Sequence, residues 1–371
     1  MNRYICIIFT YIVIFVSPVL ANDSIQHVQE VVLPTPKISF WSRAYDVIKE
    51  FSRVDTNYIE PQQYNYAVMI QNTNTYESYR LRDKDGNSIS LSPNPSVKFG
   101  PYVGWRWLFL GYTIDFFHLG SGKMKQDFDF SIYSNQVGVD LFYRQTGNNY
   151  KIHRMEIKEN KNTLQMKDLS FGGFSASIKG INLYYIFNHK KFSYPAAFSQ
   201  STRQKRSAAS FLMGVGYTKH SLSLNIRQVR DIVKENLKEE IKFDSTYQSA
   251  KVSYSDVSVS AGWAYNWVFA KNWLFAASLS GAIAYKRATG DKQAKWFSFR
   301  DFTFDNFNID GIGRFGIVWN DAKYFIGANA IFHAYNYNKS QFSTNTLFGN
   351  LNIYAGFNFG NRHRKHKAKN K

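Results

Sequence analysis

The sequence predicts an all-β protein: a transmembrane antiparallel β-barrel of about twelve strands, within a range of roughly ten to fourteen, preceded by a short N-terminal periplasmic helix or linker. Three observations predict it. The chain opens on an apolar leader, its later segments alternate large apolar with small or polar residues, and 18% of its 371 residues are aromatic, with 32 Phe, 25 Tyr and 8 Trp. That composition excludes disorder, which goes with low hydrophobicity and few aromatic residues. A disulfide scaffold is excluded as well, because the single cysteine, Cys6, lies in the leader.

Residues 1–21 read as a secretory signal peptide: Arg3 precedes an apolar run from Ile5 to Val16, and Pro18 leads into the small residue Ala21, where cleavage is expected. No later window has the run of about 18 apolar residues that a spanning helix needs. Residues 22–64 form an expected periplasmic linker in which Pro34 and Pro36 favour extended chain. Within it SFWSRAYDVIKEF places Trp41, Tyr45, Ile48 and Phe51 roughly on one helical face, with Ser39 or Ser42 as cap.

The barrel is expected over residues 65–360. Val97, Phe99, Val103 and Trp105 alternate with Lys98, Gly100, Gly104 and Arg106. After a parity change near Trp107, Leu108, Leu110, Tyr112, Ile114 and Phe116 continue the pattern. Phe128, Phe130 and Ile132 face away from Asp127 and Asp129, and beyond a Ser134-Asn135 turn Val137, Val139, Leu141 and Tyr143 face away from Asp140 and Arg144. Strands follow around Ile181–Phe187 and Phe211–Tyr217. The clearest hairpin joins Val257–Phe269 to Trp273–Tyr285 through Ala270, Lys271 and Asn272, with Val268 the one large apolar residue out of step. Three more segments, Phe315–Trp319, Tyr324–Phe332 and Leu351–Phe359, complete the series. Between the strands, Arg227–Lys242 reads as a helix of about four turns, and Lys286–Arg300 as a basic loop.

A soluble sandwich would carry Lys, Glu and Thr on its polar face, whereas a membrane barrel turns its apolar face to lipid and encloses small and polar residues. Here the non-apolar parity is dominated by Gly, Ser, Ala and Asn, which favours the barrel over a secreted or periplasmic β-sandwich. Residues 361–371 form a basic tail with six Lys or Arg. The formal charge of +19 is therefore spread along the chain, and the leader argues against a nucleic-acid partner; anionic lipid or an acidic periplasmic protein suits such a tail better, and a solvated tail is the first expectation.

Four segments carry a family resemblance: DTNYIEPQQYNY from Asp55, YESYRL from Tyr76, SLSPNPSVKFGPYVGWRWLFLGYTIDF from Ser90, and FSYPAAFSQSTRQKRSAASFLMG from Phe192. With the later hairpins they make the chain, over roughly residues 50 to 360, resemble an uncharacterised family of predicted outer-membrane proteins from Bacteroidetes, the domain of unknown function numbered 4421. The resemblance implies a β-barrel in the cell outer membrane and carries no activity, substrate or catalytic residue with it. One departure from ordinary outer-membrane barrels is that Phe357 and Phe359 are followed by the basic tail, so that insertion machinery is expected to read an internal signal.

No GxSxG, HExxH, Walker or dinucleotide motif is present, and an enzyme is the less expected outcome. A barrel-wall hydrolase needs Ser, His and an orienting polar group together near the rim, and His118, His153, His189, His220 and His333 are scattered along the chain. No cofactor is expected. No metal site is expected either, since His363 and His366 sit in the cationic tail. The candidate site is a lumenal charge network of Lys98, Arg106, Asp115, Asp127, Asp129, Asp140 and Arg144, placed on the parity opposite the lipid-facing residues. Interior Tyr102, Phe142 and Tyr184 are positioned to occlude the lumen. The expected function is a narrow passive channel or a small-solute or lipid-binding component, with a barrel-embedded lipid-modifying enzyme or a structural partner of an envelope complex as alternatives. The expected partners are outer-membrane lipids, barrel-insertion machinery during biogenesis and an envelope protein.

Overall fold

One long antiparallel ladder dominates the computed structural model, which describes residues 54–83, 86–105, 108–111, 126–146, 149–157, 162–164, 169–237, 249–288, 306–339 and 342–361. The signal peptide, the 39–51 helix, Arg106, Asp115, His118, residues 289–300 and the tail from 362 lie outside the described residues. Short β1 (Ile59–Pro61) precedes β2 (Tyr64–Asp83), β3 (Ser88–Pro93), β4 (Ser96–Trp105) and β5 (Leu108–Gly111). Next come β6 (Gln126–Tyr133), β7 (Val137–Thr146), β8 (Tyr150–Ile157), β9 (Asn162–Leu164), β10 (Leu169–Phe171) and β11 (Phe174–Ile186). Helix α1 (Pro195–Phe198), β12 (Thr202–Gln204), β13 (Ala208–Asn225) and α2 (Ile226–Leu237) lead to the last five strands. These are β14 (Ser249–Ala270), β15 (Trp273–Ala288), β16 (Phe307–Asn320), β17 (Tyr324–Lys339) and β18 (Phe342–Asn361).

Chain-neighbour hairpins run from β13 to β18, and β18 returns to pair with β2 along almost its whole length, from Phe342↔Asp83 to Asn361↔Tyr64. The ladder continues through β4 to β5 at one end and through β11 and β7 to β6 at the other. Residues 112–125, between β5 and β6, lie outside the described residues. A second connection is described: β7 resumes after Thr146 as β8, β8 pairs with β3, and β3 pairs with the end of β2. The sheet curls strongly, because side chains of strands far apart in the ladder meet, such as Phe142 on β7 with Phe348 on β18 at 5.5 Å and Tyr79 on β2 with Phe174 on β11 at 5.2 Å. Right-handed strand twist accumulating over many strands produces such curling.

The described strands number eighteen, sixteen of them in one sheet, against the twelve expected. The surplus comes from hairpins that run past the wall: β3, β8, β9 and β10 form an extension at one rim, and β1 pairs with β12 at the other. The expected Ala270–Asn272 turn is present, with Asn272 in the left-handed region at φ 66°, a conformation Asn tolerates better than most residues. Out-of-step Val268 marks a register irregularity between Val268 and Ala270. It packs with Leu274, Ala276 and Val318, away from the outward face. The Arg227–Lys242 helix is present as α2; Asn225 caps it by accepting from the Gln228 backbone N–H at 3.3 Å, and Val229 joins the core. Residues 238–242 lie outside the described residues. One expectation is corrected: Lys286 and Arg287 belong to β15, not to a loop, because the alternation continues to Ala288 and turns Lys286 inward, where it is fully buried.

The extension is stapled by charge. Glu156 on β8 accepts from Ser88 on β3 at 3.0 Å and from Arg80 on β2 at 3.0 Å, and pairs with Arg154 at 2.6 Å. The Ser88 hydroxyl, then Arg154 and Arg80, hold this carboxyl below its ordinary value of 4.5. A depressed folded-state pKa means that the contribution is present above pH 4.5 and fades as pH falls further. Amide exchange at Ser88 and Glu156 is therefore expected to accelerate on acidification below that value, and Glu156→Gln is expected to remove most of the acid dependence.

Candidate functional site

Period-two alternation divides the wall into two chemically opposed faces. Outward residues include Ile70, Val103, Val215, Val259, Leu279, Ile283, Ile309 and Ile353, all exposed. Inward positions are buried, and of the seven charges expected there Lys98, Asp140 and Arg144 are inside. Asp127 and Asp129 fall on β6 opposite Arg144 and Phe142, but their side chains lie outside the described set, as do Arg106 and Asp115.

Asp140 and Arg144 each find a partner across the interior. Asp140 receives Arg314 Nη2 from β16 at 2.5 Å and the Ser131 hydroxyl at 2.8 Å; β16 is five ladder steps from β7. Arg144 donates to Asn350 on β18 and lies over the Phe348 ring at 4.9 Å. The Arg314 guanidinium is 2% exposed and lies 4.7 Å from the centre of the Tyr184 ring. Gly138 leaves the space that ring occupies, since a Cβ there would collide with it. A second pair absent from the sequence reading sits nearer the extension: Lys286 Nζ donates to Asp310 at 2.7 Å and to the Asn336 carbonyl at 2.5 Å. Beside it His220 stacks on Tyr254 at 4.6 Å, Tyr254 stacks on Tyr337 at 4.3 Å, and Thr218 donates to Asp256.

The other rim is stoppered by the chain itself. After β11 the chain turns inward, and Phe192, Ser193, Tyr194, Ala196, Ala197 and Gln200 are buried. Pro195 starts α1, whose Ala196 and Ala197 rest on Leu274, Ala276 and Val318. Gln200 donates to Tyr354 Oη at 2.9 Å and accepts from Asn320 at 2.9 Å, while Asn266 donates to the Ser193 carbonyl at 2.8 Å. Tyr194 touches Tyr133 and Tyr184 and thereby joins this stopper to the Arg314–Asp140 pair.

A cleft of about 260 Å³ opens where the wall is interrupted. β2 pairs with β4 up to Thr75↔Ser96 and with β3 from Tyr79↔Leu91, so residues 76–78 lie opposite residues 92–95 without ladder pairing to them. Pro93 and Pro95 have no N–H to continue a ladder. Tyr76, Phe332 and Leu347 line the cleft from the outward face, Glu77 and Phe348 from the inward one, and Lys151, Ser92 and His153 from the extension. His153 is the extra residue of a bulge, since Ser90 pairs with Arg154 and Leu91 with Ile152, and bulges re-aim side chains. Its Nε2 is in hydrogen-bond contact with Ser92 Oγ. Thus one of the scattered histidines does meet a serine near a rim. Among the described residues no group of three or more His, Cys, Asp or Glu is placed to hold a metal ion, and no helix is long and apolar enough to cross a membrane.

Residues 53–359 match the family described as Domain of unknown function (DUF4421), and the chain belongs to it. No curated protein matches. Among solved structures, the chain is similar to the outer membrane protease OmpT from Escherichia coli, at 6% identity and TM-score 0.35, covering 80% of this chain and 97% of that one. It is also similar to the transport unit of the autotransporter AIDA-I from Escherichia coli, at 10% identity and TM-score 0.31, covering 86% and 98%. A third is the P. putida toluene transporter TodX, at 7% identity and TM-score 0.22, covering 80% and 91%. The activities named for those proteins remain theirs.

Asp140→Asn is expected to leave Arg314 buried against an uncharged neighbour and to lower the unfolding free energy by about 3–5 kcal/mol, read by urea unfolding of the folded protein in detergent. Replacing the pair together, Asp140→Leu with Arg314→Met, is expected to recover most of that loss, because no buried charge is then left unmatched.

Proposed function

We propose that the chain forms an outer-membrane β-barrel filled by its own side chains and stoppered by residues 192–200, and that its working surface is the wall cleft, which takes an amphiphile from the membrane. The observation that carries the membrane part is the layering of the outward face. Tyr66, Phe359, Tyr324, Trp273, Phe269 and Phe187 lie at one end of the strands and Tyr76 and Phe307 at the other, and between them the exposed residues are mostly aliphatic, with Phe99 and Trp263 among the aromatic exceptions. Ten residues separate Tyr66 from Tyr76 on β2; at about 3.4 Å per residue and a tilt of about 40° they rise ~25 Å, the height of an outer-membrane apolar band. Aromatic girdles on both sides of such a band are the signature of the interfacial zones. The short turns, and the rim where β2 begins and β18 ends, then face the periplasm, and the extension faces outward.

The interior supports a filled barrel over a passive channel. Asp140 pairs with Arg314 and Lys286 with Asp310, Arg144 rests on Phe348, and the periplasmic mouth is occupied by α1. The cleft is amphipathic in the sense an amphiphile needs, with Tyr76, Phe332 and Leu347 toward the apolar band and Lys151 and His153 toward the extension. An anionic head group would meet the Lys151 ammonium while the acyl chain stays on the wall.

Spin labels replacing Trp263 or Phe275 are expected to be relaxed by oxygen dissolved in the bilayer, and labels replacing Ser260 or Ser278 are not. Equal relaxation at all four sites would contradict the membrane reading. In planar bilayers the wild type is expected to pass no steady current, and replacing residues 192–200 by a Gly/Ser linker of equal length is expected to produce one, the readout being single-channel conductance.

A further inference from the structure

We propose that Ser92 and His153 form a nucleophile–base pair that hydrolyses acyl esters of amphiphiles seated in the wall cleft. The proposal rests on the reading of that cleft as an amphiphile site and adds the reaction. Three observations converge on it. Ser92 Oγ is in contact with the imidazole Nε2, the nitrogen that takes the proton in serine hydrolases. His153 owes its position to the bulge in the β3–β8 ladder, an irregularity that costs a ladder hydrogen bond and brings the ring to Ser92. Both side chains line a cleft whose opposite wall is apolar and continuous with the outward band. A serine–histidine contact elsewhere on the surface would lack the second and third features.

The pairing also supplies charge. Lys151 stands directly across the ladder from Ser92, and paired residues of an antiparallel ladder project to the same face. A carbonyl carbon held at Ser92 thus lies beside an ammonium that stabilises the oxyanion as it forms.

The reaction balances with water alone. Ser92 Oγ bonds to the carbonyl carbon while its proton passes to His153 Nε2. The tetrahedral adduct collapses with cleavage of the bond to the ester oxygen, and His153 returns the proton to the departing alkoxide, releasing an alcohol. Water then attacks the acyl-serine, His153 takes its proton, and the bond from the acyl carbon to Ser92 Oγ breaks as His153 returns that proton to Oγ, releasing a carboxylic acid. The substrate class follows from position: the cleft lies at the level of Tyr76, in the girdle, where an acyl chain in the apolar band places its ester carbonyl.

The test uses the full chain refolded in detergent micelles and in liposomes. p-Nitrophenyl dodecanoate and p-nitrophenyl acetate are offered as substrates, and a fluorophosphonate probe reports the nucleophile by peptide mass mapping. The wild type is expected to hydrolyse the long-chain ester faster than the short one and to carry the probe on Ser92. Ser92→Ala and His153→Gln are each expected to lower the rate at least ~100-fold, the scale of a lost general base, with the urea midpoint unchanged. Absence of turnover and of an adduct in both environments would overturn the proposal, as would turnover that survives Ser92→Ala. The membrane reading fails separately: hydrolysis by a chain whose outward spin labels do not sense bilayer oxygen would overturn that reading and keep the pair, whereas correct labelling without hydrolysis would overturn the pair alone.

Discussion

The interior of this sheet carries full charges with almost no access to water, and the rest of the structure is arranged around compensating them. Arg314 and Asp140 come from strands five ladder steps apart, so their pairing requires the sheet to curl until opposite walls meet. An isolated buried ion costs several kcal/mol even after relaxation, which makes an open or flattened sheet unfavourable as soon as either partner is inside. The aromatic rings around the pair belong to the same solution: Tyr184 and Tyr194 face the guanidinium with their π-clouds, and Tyr194 arrives on the segment that stoppers the mouth. The stopper and the ion pair therefore stabilise each other, and Lys286 with Asp310 repeats the arrangement toward the other rim.

This distribution inverts the ordinary globular plan. Large aliphatic side chains such as Ile309 and Leu279, 72% and 64% exposed, remain outside, where water would penalise them and lipid would not. Among the described residues, buried apolar packing includes a cluster around Phe174, Phe348 and Tyr150 under the extension and others around Ala197 and Val318, around Tyr184 and Phe192, and around Met69 and Phe325. Along the inward face the packing is largely hydrogen-bonded, which fixes strand register more sharply than apolar contacts alone.

Most of the wall was legible because period two is a strong signal wherever one face is uniformly apolar, as from Val257 to Phe269. β2 carries no such signal. Its middle, Gln71 to Thr75, is polar on both faces, and it is recognisable as a strand only because β18 and β4 complete its hydrogen bonds. Lys286 and Arg287 read as the start of a loop because adjacent basic residues usually sit in solvent; only Asp310 on the neighbouring strand makes an inward lysine tolerable. Asp140 and Arg144 were readable by parity, whereas Arg314, between Gly313 and Phe315, has no local mark. The stopper is equally silent, since nothing in FSYPAAFSQ distinguishes a turn over the rim from a turn into it.

The cleft follows from a local defect in an otherwise continuous wall. Proline at positions 93 and 95 ends the β3 edge and delays β4, and the curled sheet has to accommodate a break of three residues along β2. A break in a membrane wall exposes backbone polar groups, which lipid cannot satisfy, so it is tolerable only at a level where polar groups are available. In the proposed membrane placement, Tyr76 marks that level. Ser92 and His153 are 61 residues apart in sequence, and a one-residue bulge decides whether they meet; no spacing rule anticipates it. This break offers an outside molecule apolar surface beside polar side chains.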